Sequence, residues 1–385
     1  MSKYLMDTIA RRDVAFFSSR GPWLITKSGE EYLDFFCDVG TASLGYFGPE
    51  VLLALSALTA NFVAPHSPNL FNHALRDEAA RRLCQTTGMD RVFFCNSGTE
   101  AVEAAIKMAR LYQYKRHDRS TAVSIWSHEG GFHGRTYGSL ACGDGAPHHY
   151  EGFGPFPEGF LHFNLEDKMP PRHAGAVILA PIHGNNDVGL VDVERLRALR
   201  EYCTKHGIVL IFDEVQTGSG RCGGQQFTYA QRIGVEPDAI CLAKGLGMGA
   251  PVGALLAKEP FGSAFTPGTH FSTFGGNPIG MAFVLEMLDW FEQNRQAADD
   301  TGSELWCRLD ELPWVKNLRG AGALIAFDVE KDARAFADAC FNQRLLIGAF
   351  RNGPGPVKIT PPLNIDRSLV HEGVERMKRA WESLP

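Results

Sequence analysis

Apolar residues recur along this chain in two forms, short unbroken blocks and longer stretches with a period near 3.6. The blocks cover 91–95, 122–126, 176–180, 209–212, 239–243 and 252–257. Four or five apolar residues in a row, bounded by glycine and polar residues, predict strands buried on both faces, as in a parallel sheet. Between the blocks, 97–115 and 192–205 carry helical spacing. In the first of these, Glu100, Glu103, Lys107, Arg110 and Tyr114 form one stripe, opposite Ala101, Ala104, Ala105, Met108 and Ala109. This alternation predicts an α/β fold, a mostly parallel sheet with helices on both faces. Before about residue 48 the pattern changes to short strands, 23–26 and 32–35, joined by the turn Lys27-Ser28-Gly29-Glu30. After about residue 280 come a long apolar helix, strands over 323–329 and 357–360, and helices over 332–343 and 368–383. The expected organisation is a large domain over 49–279 and a smaller α+β domain built from both chain ends, 1–48 and 280–385.

Composition narrows the function classes. At 385 residues with 44% hydrophobic and 21% charged content, the chain suits a soluble enzyme with a sizeable core. Its net charge of -6 gives no electrostatic case for nucleic acid or an anionic membrane. The densest basic patch, Lys115-Arg116-His117-Asp118-Arg119, falls at a helix end, where cations suit the dipole. Nine scattered cysteines with no Cys-x-x-Cys indicate neither a disulfide framework nor a zinc site. The first residues lack the apolar stretch of a signal peptide, and no run approaches the length of a membrane span. A soluble, cytoplasmic protein without bound metal is expected.

Candidate chemistry gathers where the blocks end. The block over 209–212 delivers Asp213 to the sheet's carboxyl edge, where a buried carboxylate is costly unless a cation meets it. The block over 239–243 delivers Lys244, followed by Gly245, to the same kind of edge. A buried acid for a cationic ring nitrogen, and a lysine able to form an imine, are the minimum equipment for pyridoxal 5'-phosphate. Asn96-Ser97-Gly98-Thr99-Glu100 opens a helix and offers backbone N–H groups, a hydroxyl and the helix dipole to a phosphate. The same residues also read as an ordinary capping box of Ser97 with Glu100. In Gly130-Gly131-Phe132-His133-Gly134-Arg135-Thr136, Phe132 suits stacking on a flat ring and Arg135 suits a carboxylate. The glycine-rich stretch from Gly268 to Pro278, which carries Thr273, is too polar and too distinctive for a simple linker. Gly218-Ser219-Gly220-Arg221-Cys222-Gly223 matches a dinucleotide fingerprint in spacing alone, since no helical pattern follows and Asp238 precedes its strand.

Taken together, these residues resemble the class III aminotransferases, which are fold type I pyridoxal-phosphate enzymes, and most closely the acetylornithine/ornithine aminotransferase group. The resemblance runs from Glu31-Tyr32-Leu33-Asp34-Phe35 to Pro361-Pro362-Leu363. It implies a large domain with a mostly parallel seven-stranded sheet and a homodimer with shared active sites. It also implies that Lys244 is the Schiff-base lysine and that Asp213 pairs with the ring nitrogen. Phe132 and Val215 would flank the ring, with His133 in the same cofactor-binding loop, and Gln216 would meet the ring hydroxyl. Ser97, Gly98 and Thr99 would hold the phosphate, joined by Thr273 from the partner, and Ser67-Pro68-Asn69-Leu70 would cross to the neighbouring site. Arg135 would bind a substrate carboxylate. The family usually reads E-P-I-Q-G-E-G-G where this chain has Ala180-Pro181-Ile182-His183-Gly184-Asn185-Asn186-Asp187, and V-I-R-x-x-P-P-L where it has Val357-Lys358-Ile359-Thr360-Pro361-Pro362-Leu363. Asn185 and Lys358 thus stand where a glutamate–arginine pair governs substrate choice. With Arg135 they are the expected substrate-binding residues, Lys358 as a single-point carboxylate anchor. The implied reaction moves an amino group distal to a carboxylate from an amino acid or amine to a 2-oxo acid. Racemisation, intramolecular amino transfer, decarboxylation and phospho-lyase elimination run on the same scaffold.

Overall fold

The computed structural model describes residues 4–60, 70–117, 123–184, 187–349 and 352–385. A seven-stranded sheet runs in the order Arg91–Cys95, Gly253–Ala257, Ala239–Leu242, Val209–Asp213, Ala176–Leu179, Ile125–His128, Phe160–Phe163. Gly253–Ala257 is antiparallel to both neighbours. The remaining pairs are parallel. Alternate residues of the central strands feed opposite cores, as the two-residue period requires. Val177, Leu179, Leu210, Phe212, Ile240 and Leu242 pack with Leu196 and Leu199 of helix Val193–His206 and with Val284 and Met287 of helix Pro278–Gln293. Ala176, Ile178, Val209, Ile211, Ala239 and Cys241 meet Ala101, Ala104, Ala105, Met108 and Ala109 of helix Gly98–Arg116. Both strands that carry the candidate acid and lysine are therefore buried on each face, and their carboxyl ends stand side by side, with Asp213 in register with Cys241.

Two strands of the large sheet differ from the sequence reading. The expected strand over 122–126 forms at Ile125–His128, because pairing on one side with Phe160–Phe163 and on the other with Ala176–Leu179 sets the register; Ala122 lies outside the described residues. Phe160–Phe163 itself carried no usable pattern, being an edge strand with Leu161 and His162 exposed.

The chain ends share a second core. Glu31–Asp34 pairs antiparallel with Trp23–Thr26 and parallel with Leu345–Leu346, and the unforeseen strand Phe16–Arg20 completes that sheet. A further antiparallel sheet orders Lys316–Ala321, Leu324–Val329, Gly355–Ile359 and Gly348–Ala349. Leu33 and Phe35 pack against Leu305, Phe327, Phe336, Val374 and Met377. Between Glu31–Asp34 and the large sheet, Cys37, Asp38 and Val39 take left-handed φ values of 48°, 48° and 61°. Such a run of non-glycine residues is strained by roughly 1 kcal/mol or more per residue, and Val39 is β-branched. Asp34 supports it by accepting the N–H groups of Phe36 and Cys37 at 2.7 and 2.8 Å.

All nine cysteines are free thiols. Among the described residues, no helix is long and apolar enough to cross a membrane. Nor do any three His, Cys, Asp or Glu side chains there form a group able to hold a metal.

Candidate active site

A cavity of about 440 Å³ opens at the carboxyl edge of the large sheet. Its wall includes Ser97, Gly98, Thr99, Phe132, His133, Arg135, Asp213, Val215, Gln216 and Lys244. Ten of the residues singled out from sequence, spread over some 150 positions, thus meet in one place. Asp213 is 6% exposed. Its Oδ1 accepts Val215 N–H at 3.0 Å, and its Oδ2 accepts from His133 Nδ1 at 2.8 Å. The other ring nitrogen of His133, Nε2, is buried without a hydrogen-bond partner among the described residues. The acid is thereby oriented with a histidine behind it.

Lys244 begins a short 3-10 turn just after strand Ala239–Leu242, with its backbone in the left-handed region at φ 43°. Burial pushes its ammonium down to about 8, against the opposing pull of the Asp213 and Asp38 carboxylates. A lysine so placed has a substantial neutral, nucleophilic fraction at physiological pH.

The anion-binding end of the cavity is the N-terminus of helix Gly98–Arg116. Ser97 caps it by accepting Glu100 N–H at 3.3 Å, and Glu100 reaches back to Asn96 N–H at 2.6 Å. Ser97 thus caps the helix, with the glutamate's return bond falling one residue earlier than in a capping box, and Gly98 and Thr99 of the first turn line the cavity. Close approaches shape this end: a Cβ on Gly98 would lie 2.8 Å from both Val215 methyl groups, and one on Gly134 2.2 Å from Thr99 Oγ1. Thr99 Oγ1 is hydrogen-bonded with Ser139 Oγ at 2.7 Å and Thr136 Oγ1 at 2.9 Å. From the same helix, Glu103 accepts the N–H groups of Gly138 and Ser139 at 2.9 and 3.0 Å. This clamp on the loop bearing Phe132 and Arg135 was not legible in the sequence, where Glu103 belonged to a solvated stripe.

Arg135 is exposed at the mouth, 5.4 Å from the Phe132 ring centroid, with Nη2 3.4 Å from His149 Nε2. Gln216 donates from Nε2 to Val39 O at 3.2 Å, so the left-handed turn forms part of the site's surroundings. Ile182 and Gly184, from the segment that departs from the family pattern, also line the wall, as does Thr41, which no local sequence signal marked.

Two expected residues stand elsewhere. Thr273 is exposed and outside this chain's own cavity, beside Ser272, whose Oγ accepts from Asn96 Nδ2 at 3.1 Å. Lys358 is 1% exposed and does not line the cavity; its Nζ donates to Gly184 O. Asn185 lies outside the described residues, as do Ser67, Pro68 and Asn69, while Leu70 is exposed. The Gly218–Gly223 segment serves close packing, with Gly220 against the Phe291 ring and Gly223 against Asp299.

Fold and site together define an α/β protein in which an oriented acid, a lysine of lowered basicity and an anion-binding helix end converge on one sheet edge. Residues 9–381 match the class-III aminotransferase family, and the chain belongs to it. It is 34% identical to the acetylornithine aminotransferase of Bacillus cereus, over 98% of this chain and 97% of the relative. It is 37% identical to that of Agrobacterium fabrum, over 99% and 96% respectively. Among solved structures, the ornithine aminotransferase of Toxoplasma gondii has a TM-score of 0.91 at 27% identity, covering 99% of this chain and 93% of that one. A second structure of an ornithine aminotransferase from that organism holds PLP at partial occupancy in its active site. The expected fold type I architecture and the aminotransferase assignment are those of this family.

Proposed function

We propose that the chain is a pyridoxal-phosphate-dependent aminotransferase that transfers an amino group distal to a carboxylate from an amino acid or amine to a 2-oxo acid. The observation that carries this reading is the convergence of Asp213, Lys244 and the Ser97–Thr99 helix end on one cavity. These residues fit the cofactor. The approaches at Gly98 and Gly134 leave a side-chain-free cradle for a phosphate, and Phe132 and Val215 offer apolar flanks for a flat ring. When bound, the cofactor supplies a carbonyl carbon that takes the amino group and a conjugated ring that accommodates negative charge. Asp213, held by His133 and Val215 N–H, would keep a proton on the ring nitrogen. Lys244 Nζ, lowered toward neutrality, would hold the cofactor and move a proton at the reacting carbon. Gln216 would face the ring hydroxyl, and Arg135, exposed at the mouth, would bind the substrate carboxylate in a two-point contact.

The reading includes a homodimer. Its support is Thr273, which stands outside this chain's own cavity, together with exposed apolar side chains at Leu52, Leu53, Phe71, Phe271 and Phe274. The free thiols suit the cytoplasm.

The test is a single turnover. Enzyme loaded with cofactor and mixed with a distal-amino donor, without acceptor, should release one equivalent of oxo product per active site. Racemisation or decarboxylation would release no oxo product, and elimination would release it together with free ammonia and beyond one equivalent; either result would refute transamination.

A further inference from the structure

A lysine buried to 1% exposure in a β-sheet is an expensive residue, and Lys358 occupies such a place on strand Gly355–Ile359, between Ala326 and Gly348 on the flanking strands. Its Nζ donates to Gly184 O, in a segment that leaves the large sheet after Ala176–Leu179. Gly184 in turn presses on Gln216: a Cβ added to Gly184 would lie 2.0 Å from Gln216 Oε1 and 2.7 Å from its Cδ. The other end of that amide is fixed as well, since Gln216 Nε2 donates to Val39 O at 3.2 Å. The strand bearing Lys358 is anchored just beyond it, where Thr360 N donates to Phe35 O at 2.7 Å. A chain of contacts therefore runs from Lys358 through Gly184 to Gln216 and the left-handed turn.

We propose that Lys358 is a positioning residue for Gln216: by holding the Gly184 carbonyl it keeps Gly184 against the Gln216 amide, which then has one orientation in the cavity wall. This rests on the functional reading above, in which Gln216 faces the cofactor's ring hydroxyl. It differs from the role expected from sequence, a direct anchor for a substrate carboxylate. Burial, with Lys244 as the second cause, pushes the Lys358 ammonium down to about 7, consistent with an amine used as a hydrogen-bond donor rather than a fixed charge.

The experiment uses the cofactor-loaded enzyme and reads two quantities besides activity: the dissociation constant of pyridoxal phosphate and the pH midpoint of its visible absorption band. Lys358→Met should weaken cofactor binding by roughly 3- to 10-fold, the worth of one net hydrogen bond. It should also move the midpoint by about half a pH unit or more. In a Gln216→Ala background the same substitution should change neither further, because the residue it positions is gone. Gly184→Ala provides a second route, independent of whether Lys358→Met folds. Its Cβ displaces the Gln216 amide while leaving Lys358 in place, and should move the midpoint in the same direction. Additive effects in the double mutant, or an unmoved band in both Lys358→Met and Gly184→Ala, would overturn the proposal. So would a tenfold rise in KM for the carboxylate substrate with an unmoved band, which makes Lys358 a substrate ligand. A wild-type protein that shows no visible band with pyridoxal phosphate would overturn the functional reading, and this proposal with it.

Discussion

At the scale of single residues, the account rests on an acid oriented by its hydrogen bonds and on lysines whose basicity burial lowers. Asp213 has both oxygens engaged by the protein, one with His133 and one with Val215 N–H. Replacing it by asparagine removes the negative charge while keeping the shape. Asp213→Asn should therefore slow the amino-transfer half-reaction by at least about 10²-fold and weaken cofactor binding. Stopped-flow single turnovers check this, and near-normal rates would make Asp213 a structural acid. Lys358 gives a pH signature. Its ammonium is lowered from 10.5 to about 7, so between those values the folded chain holds fewer protons than the unfolded one. Stability then rises with pH across that window and falls as pH drops toward 7. Relative to Lys358→Met, the wild-type apoprotein should gain stability from pH 7 to 9 with a slope of at most ~1.4 kcal/mol per pH unit. Denaturant midpoints of both proteins at the two pH values measure it, and parallel pH profiles would contradict it.

Among elements, helix Gly98–Arg116 joins stability to binding. Ser97 caps it, and its first turn lines the cavity. Ser97→Ala should cost about 1 kcal/mol of stability in the apoprotein. It should also weaken phosphate-dependent cofactor binding, as thermal denaturation and titration can establish; a loss of stability with unchanged affinity would separate the cap from the anion site. This helix and the strands ending at Asp213 and before Lys244 were legible in the sequence because burial on two faces leaves unbroken apolar blocks, and because a cap needs particular residues at particular spacing. The edge strand Phe160–Phe163 was not, since its partner, 35 residues upstream, and not its own pattern, defines it. Glu103 reaching the 136–139 loop, and His133 behind Asp213, are likewise products of tertiary placement. The left-handed turn at Cys37–Val39 runs against local preference, so its residues give no warning of it. Lys358 was legible as a departure from the family pattern, but its direction, toward Gly184 and not into the cavity, is set by how two sheets meet.

On the scale of the whole molecule, the cavity draws on residues from Thr41 to Val252, and the core beneath the strained turn joins both ends of the chain. A second copy is expected to complete it. The active species should sediment as a C2 dimer, and Thr273→Ala should loosen the cofactor while leaving the fold intact; a fully active monomer would refute the shared site. The central claim is that Lys244, and no other amine, carries the cofactor. Two lysines, the half-buried Lys244 and the buried Lys358, have lowered basicity, so the claim can fail in a defined way. Lys244→Ala should retain cofactor through its phosphate but turn over at least ~10³-fold more slowly. Most direct is borohydride reduction of the pyridoxal-phosphate-loaded protein followed by peptide mapping. The account requires the label on Lys244; a label on Lys358 or on any other lysine, or none, would contradict it.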